Sequence, residues 1–185
     1  MGDLMERLND LREQIQQPDF LKGKGLSNEV NIRLFCYDSQ DEIIIRHFTE
    51  KLLTDTSLSC RVIEYNLYKI FLAICDEKRI TKLIAGMEEK KGKQFLLEHL
   101  KRIADNKAFV RKMTETPHKS GDVILITGVG EAFPFIRVHA LLDAMQPNFS
   151  DVPILVMYPG SFDGRAVKLF DKLPPNSYYR AFNII

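Results

Sequence analysis

A few residue groups have the types and spacing of chemistry. Gly128-Val129-Gly130-Glu131 follows an apolar run and opens a helical pattern, which points backbone N–H groups where a phosphate binds. A dinucleotide turn also needs glycine at position 133, which is Phe133, and Glu131 would repel a phosphate. The turn therefore reads as a tight corner in which glycine supplies backbone clearance. Lys24 follows Gly23, but a Walker pattern requires glycine at 18 and Ser or Thr at 25, where Pro18 and Gly25 stand. Ser161, Asp163 and His139 have the residue types of a hydrolase set. The GxSxG elbow is absent, however, and Ser161 falls in the Pro159-Gly160 turn. Cys36, Cys60 and Cys75 lie far apart in apolar runs without a CxxC, as reduced core thiols do. His47, His99, His118 and His139 show no HExxH or paired spacing, so no metal and no cofactor is assigned.

Charged residues offer weaker signals. Arg137 and His139 are two apart on a helical pattern and point in different directions. Arg137 is expected to pair with a carboxylate such as Glu131 or Asp163. The run Lys90-Lys91-Gly92-Lys93, with Lys101 and Arg102 beyond, has the charge to touch phosphates. Glu88, Glu89 and Glu98 are interspersed with it, which favours a solvated helical face.

These groups must be held by recognisable elements. Leu4, Leu8, Leu11 and Ile15 make residues 3–17 an amphipathic helix whose stripe needs a cover, in its own domain or on a partner. Pro18 and Gly23-Lys24-Gly25 break the chain, dividing an N-terminal helix and linker, 1–22, from a single α/β domain, 23–185. Asn31 to Tyr37 reads as a strand, and Ser39 with Glu42 as a capping box opening a helix with Ile43, Ile44, Phe48 and Leu52. Cys60 to Tyr65 alternates, and Leu67 to Cys75 is an apolar helix. Residues 76–119 read as a helical insertion of two or three surface helices, burying Leu96, Leu97, Leu100, Ile103 and Phe109. Val123 to Thr127 is a continuous apolar run, the mark of a strand covered on both faces. A helix over Pro134 to Met145, a strand over Ile154 to Tyr158, a helix over Ala166 to Leu173 and a strand over Tyr179 to Ile184 complete the pattern. About five strands alternating with helices predict a mostly parallel, doubly wound sheet with helices on both faces. A P-loop-like core stripped of its nucleotide site fits that count. In such sheets ligands and partners meet the loops at the strands' carboxyl ends. Here these hold Asp38-Ser39, Asn66, Thr127 to Glu131, and Tyr158 to Gly164.

Composition excludes several classes. With 26 Lys and Arg against 25 Asp and Glu, no global positive field draws the chain to nucleic acid or anionic lipid. The first ten residues lack the basic start and apolar run of a signal peptide, and no stretch has the apolar length of a membrane span. The chain is therefore placed in the cytoplasm, away from membranes.

In the C-terminal half, three ordered segments are distinctive. They are Thr127-Gly-Val-Gly-Glu-Ala-Phe-Pro-Phe-Ile-Arg-Val-His-Ala-Leu-Leu142, then Pro153-Ile-Leu-Val-Met-Tyr-Pro-Gly160, then Ser177-Tyr-Tyr-Arg-Ala-Phe182. In this order they resemble the signature of the BrxB family, a small component of BREX (bacteriophage exclusion) defence systems. The motif covers roughly the last third of the chain, and residues 1–120 match only in strand and helix layout. Its residues are Gly128, Gly130, Pro134, Arg137, His139, Tyr158, Pro159, Gly160, Tyr179, Arg180 and Phe182, with Glu131 and Asp163 beside them. Phe162 stands where relatives would carry tyrosine. The resemblance implies a protein of unestablished enzymatic activity acting with other cassette proteins. These are a PglZ-type alkaline-phosphatase-superfamily protein, a PglX-type methyltransferase and a large ATPase. A non-catalytic binding or scaffold subunit is the leading expectation, with the PglZ-type protein as first partner and self-association compatible with it. A nucleotide-binding or hydrolytic P-loop-like protein and a DNA-binding accessory factor are the alternatives.

Overall fold

A computed structural model describes residues 2–22, 31–162, 166–173 and 182–183. Its strands are β1 (Ile32–Tyr37), β2 (Val62–Asn66), β3 (Val123–Thr127), β4 (Ile154–Phe162), β5 (Val167–Leu169) and β6 (Phe182–Asn183). Five of them run parallel in the order β2-β3-β4-β1-β6. Val156 of β4 stands opposite Leu34 of β1 on one side and Ile126 of β3 on the other. All of β3 and the first seven residues of β4 are buried, which is why both read as apolar runs instead of alternating.

One face of the sheet carries α1 (Gly2–Gln14), α2 (Pro18–Leu21) and α3 (Glu42–Thr54). On the other lie α4 (Leu67–Glu77), α5 (Ile84–Lys91), α6 (Lys93–Ile103), α7 (Asn106–Met113), α8 (Val129–Ala132) and α9 (Val138–Met145). This is the mostly parallel, doubly wound α/β architecture that the strand and helix alternation implies.

Leu4, Leu8, Leu11 and Ile15 are all buried in one cluster with Phe35, Tyr37 and Leu155, so the chain's own sheet covers the first helix's stripe. Each such side chain contributes roughly 1.5–3 kcal/mol by leaving water. Polar ties reinforce the seam. Arg12 Nη2 donates to Asp55 Oδ2 at the end of α3 at 2.7 Å, and Arg7 Nη2 donates to the Cys36 carbonyl at 2.6 Å. In the insertion, Leu96, Leu100 and Phe109 are buried, while Leu97 and Ile103 are half-buried.

Several boundaries differ from expectation for local reasons. Residues 166–173 do not form a helix. Val167 and Leu169 turn toward the core while Lys168 faces out, a two-residue alternation that pairs β5 antiparallel with the end of β4. The helix expected from Pro134 begins at Val138, because the N–H groups of Phe135 and Ile136 bond back to the Ala132 carbonyl and complete the preceding turn. Ser39 and Glu42 make no capping box. Asp38 caps the turn Ser39–Asp41 by accepting from Gln40 N at 2.9 Å, and Glu42 is committed elsewhere. In α3 the buried positions are Ile45, Thr49 and Leu52, and Ile43 is exposed.

Candidate functional site

The carboxyl ends of β1, β2 and β3 open into a cleft of about 220 Å³, roofed by α3 and floored by the turn after β3. Its position is the one where parallel sheets receive ligands and partners. Tyr37 ends β1, Glu64 and Asn66 end β2, and Thr127, Gly128 and Glu131 follow from β3.

Side chains in this cleft bond chiefly to one another. The Tyr37 hydroxyl donates to Glu42 Oε2 at 2.6 Å, and Arg46 Nε donates to Glu42 Oε1 at 3.2 Å. Arg46 Nη2 then reaches Glu131 Oε1 at 2.7 Å, joining α3 to α8 across 85 positions. Burial, then the Glu42 carboxylate, pushes the Tyr37 phenol far up, so it is a fixed donor and not an acid at neutral pH. Thr127 Oγ1 donates to Glu64 Oε1 at 2.6 Å, and Asn66 Oδ1 accepts from Lys69 N as the cap of α4. Gly128 sits at φ 69°, where a Cβ would also lie 2.8 Å from Asn66 Oδ1, so glycine is required twice over. Four lining carboxylates, Glu42, Glu50, Glu64 and Glu131, outnumber the cations Arg46 and Lys69. That balance, with an α8 of only four residues, disfavours an anion at the glycine turn.

A second, smaller hollow of about 50 Å³ lies beside it, where Arg137 and His139 meet Tyr158, Phe133 and Val167. The Arg137 guanidinium lies over the Phe133 ring, 6.0 Å from its centroid. The expected Arg137–Glu131 pair does not form, since Arg46 holds Glu131. Burial, then the neighbouring Arg137 charge, lowers the His139 pKa and keeps that ring neutral at pH 7. Tyr158 is buried and its phenol is pushed up by desolvation. Gly130 packs against the Phe170 ring and Pro159, and a Cβ on Gly160 would run into the Lys168 carbonyl. Pro134 follows a cis peptide bond in the turn leading to α9. Asp163, Tyr179 and Arg180 lie outside the described residues, as does the Phe182 side chain, whose backbone pairs with Arg33.

The three motif segments thus divide. Gly128 and Glu131 join the larger cleft, Arg137, His139 and Tyr158 the smaller hollow, and Gly130 and Gly160 shape the β4–β5 hairpin. Sequence reading missed Tyr37, Glu42, Arg46 and Glu64. The four-residue step from Glu42 to Arg46 was a legible signal for their pair, but nothing local announces Glu131 as its third member. Among the described residues no His, Cys, Asp and Glu side chains gather as a metal site, and no helix is long and apolar enough to cross a membrane.

The family model described as "BREX protein BrxB" matches residues 63–184. The chain belongs to the BrxB family. A BREX protein BrxB of Bacillus cereus (strain H3081.97) is 33% identical over 192 residues, covering 100% of this chain and 99% of that protein. A BREX protein BrxB of Escherichia coli O9:H4 (strain HS) is 28% identical over 185 residues, covering 97% and 90%. The BrxB likeness therefore extends through nearly the whole chain, well beyond the three C-terminal segments. No solved structure matches.

Proposed function

We propose that the chain is a non-catalytic binding subunit of a BREX antiphage assembly, holding a cassette partner, with the PglZ-type protein as the first candidate. Membership of the BrxB family supplies the system. The observation that carries the binding reading is the mutual bonding of most polar side chains in the carboxyl-edge cleft, where, among the described residues, Thr49 Oγ1 is a buried oxygen left without a partner. Here Tyr37, Glu42, Arg46 and Glu131 bond in series, and Thr127 bonds to Glu64. Such a network gives the edge a fixed shape and charge pattern, which suits recognition of a protein surface. In this reading the chain works in the cytoplasm with its partners.

Co-purification of the tagged chain with the PglZ-type protein, followed by size-exclusion chromatography with light scattering, tests the proposal. A stable complex weakened by Arg137→Ala, Tyr179→Ala or Arg180→Ala is the expected result. If the chain elutes alone and its deletion leaves phage restriction unchanged, the reading fails.

A further inference from the structure

Charge is distributed unevenly along this nearly neutral chain. Residues 76–119 hold twelve Lys and Arg against seven Asp and Glu, whereas the rest holds fourteen against eighteen. Three of these cations stand together where α5 turns into α6, directly after Glu88 and Glu89. Lys90 and Lys91 end α5, Gly92 at φ 81° makes the corner, and Lys93 starts α6, so three exposed ammonium groups crowd one bend. Helix α5 has no fully buried residue and is attached through half-buried Ile84 and Met87, so the corner stands at the molecular surface.

An aromatic platform adjoins these cations. Phe95 is 38% exposed, with Lys91 Nζ 4.4 Å from its ring centroid and the His99 ring stacked 5.9 Å away at 11°. Arg102 falls one turn beyond His99 on the same face of α6. Among the described residues, no carboxylate lies within 4.0 Å of Lys90, Lys91, Lys93 or Arg102. Glu98 shares this face, but it accepts from Gln94 at 3.2 Å and lies 4.0 Å from Lys101. Arg111 and Lys112 behave differently, since both pair with Glu77 and tie α7 to α4.

We propose that the α5–α6 corner binds single-stranded nucleic acid, with Lys90, Lys91, Lys93 and Arg102 holding phosphates and Phe95 stacking on a base. Unpaired ammonium groups gain from phosphate neutralisation and counterion release. An exposed ring flanked by cations accepts the face of any unpaired base, which a duplex keeps hidden in its stack. This surface is separate from the carboxyl-edge cleft, so it stands or falls apart from the partner-binding reading.

Fluorescence anisotropy of the full chain with a labelled oligothymidylate of about 20 nucleotides, and with a duplex of equal length, tests it. Binding at low salt should weaken as salt rises, with a logarithmic slope of about −0.7 per phosphate engaged. Lys91→Glu with Lys93→Glu should abolish it, Phe95→Ala should weaken it by roughly ten-fold, and Phe95→Tyr should retain it. Circular dichroism confirms that each variant is folded. Absence of binding at low salt overturns the proposal, as does binding indifferent to the charge reversals or equal binding of duplex with no effect of Phe95→Ala. Capture of polyglutamate in place of the oligonucleotide would also overturn it, assigning the corner to an acidic protein.

Discussion

The carboxyl-edge cleft and the α5–α6 corner are both rich in charge, yet they use it in opposite ways. In the cleft, Arg46 is shared between Glu42 and Glu131, and Tyr37 and Thr127 donate to carboxylates, so most of the polar groups are answered from within. At the corner, Lys90, Lys91 and Lys93 are exposed beside a half-exposed Phe95. The cleft is pinned by elements far apart in sequence, while the corner is made of neighbours on two successive helices. The lesson is that charge count alone does not identify a contact surface; what matters is whether the fold has already supplied each charge with a partner.

Substitutions at the two sites sharpen this contrast. The largest effect is expected in the core of the insertion, where Phe109 of α7 is fully buried. Phe109→Ala should cost about 3–5 kcal/mol in urea unfolding. Phe95→Ala, on the surface of the same insertion, should cost no more than about 1 kcal/mol. Equal losses would make Phe95 a core residue and break the distinction.

In the cleft, Gly128→Ala forces a Cβ into left-handed backbone and against Asn66 Oδ1, which should destabilise by about 1–3 kcal/mol. Combined with Asn66→Ala, the loss should fall short of the sum of the two single changes, because one variant removes the other's clash.

Arg46→Ala should lower stability by less than about 1 kcal/mol, because the side chain is 55% exposed and its pairs are screened. The difference from wild type should shrink further in high salt. A loss several-fold larger would mean that the network, and not the apolar core, holds α3 to α8.

The smallest effect belongs to Asp55, which joins α1 to the end of α3. Hydrogen bonds from Ser57, then from Arg12, hold its carboxyl down at about 2. A depressed carboxyl stabilises the fold above its unfolded value near 4, and the contribution is lost as pH falls from about 4 toward 2. Urea midpoints of wild type and Asp55→Asn should therefore converge over that interval. A gap that persists unchanged below pH 2 would locate the effect in packing.

How much of this was legible beforehand depended on the range of each interaction. Val123 to Thr127 announced a central strand, because a strand buried on both faces has no polar positions to show. Val167-Lys168-Leu169 was misread, since three alternating residues beside further apolar ones fit a helix equally well until β4 offers its edge. The partner of Glu131 was illegible. Arg137 is nearer in sequence, but Arg46 is brought to Glu131 by the sheet order that places β1 and β3 on either side of β4.

By itself the sequence determined the α/β class, the parallel sheet, the amphipathic first helix and the BrxB likeness, because these follow from backbone preference, hydrophobic period and residue order. Only the tertiary structure decided which charges are spent on one another, what covers the first helix and which cations stand clear. Those outcomes depend on distances between residues tens of positions apart, which the strand order sets and no local pattern encodes.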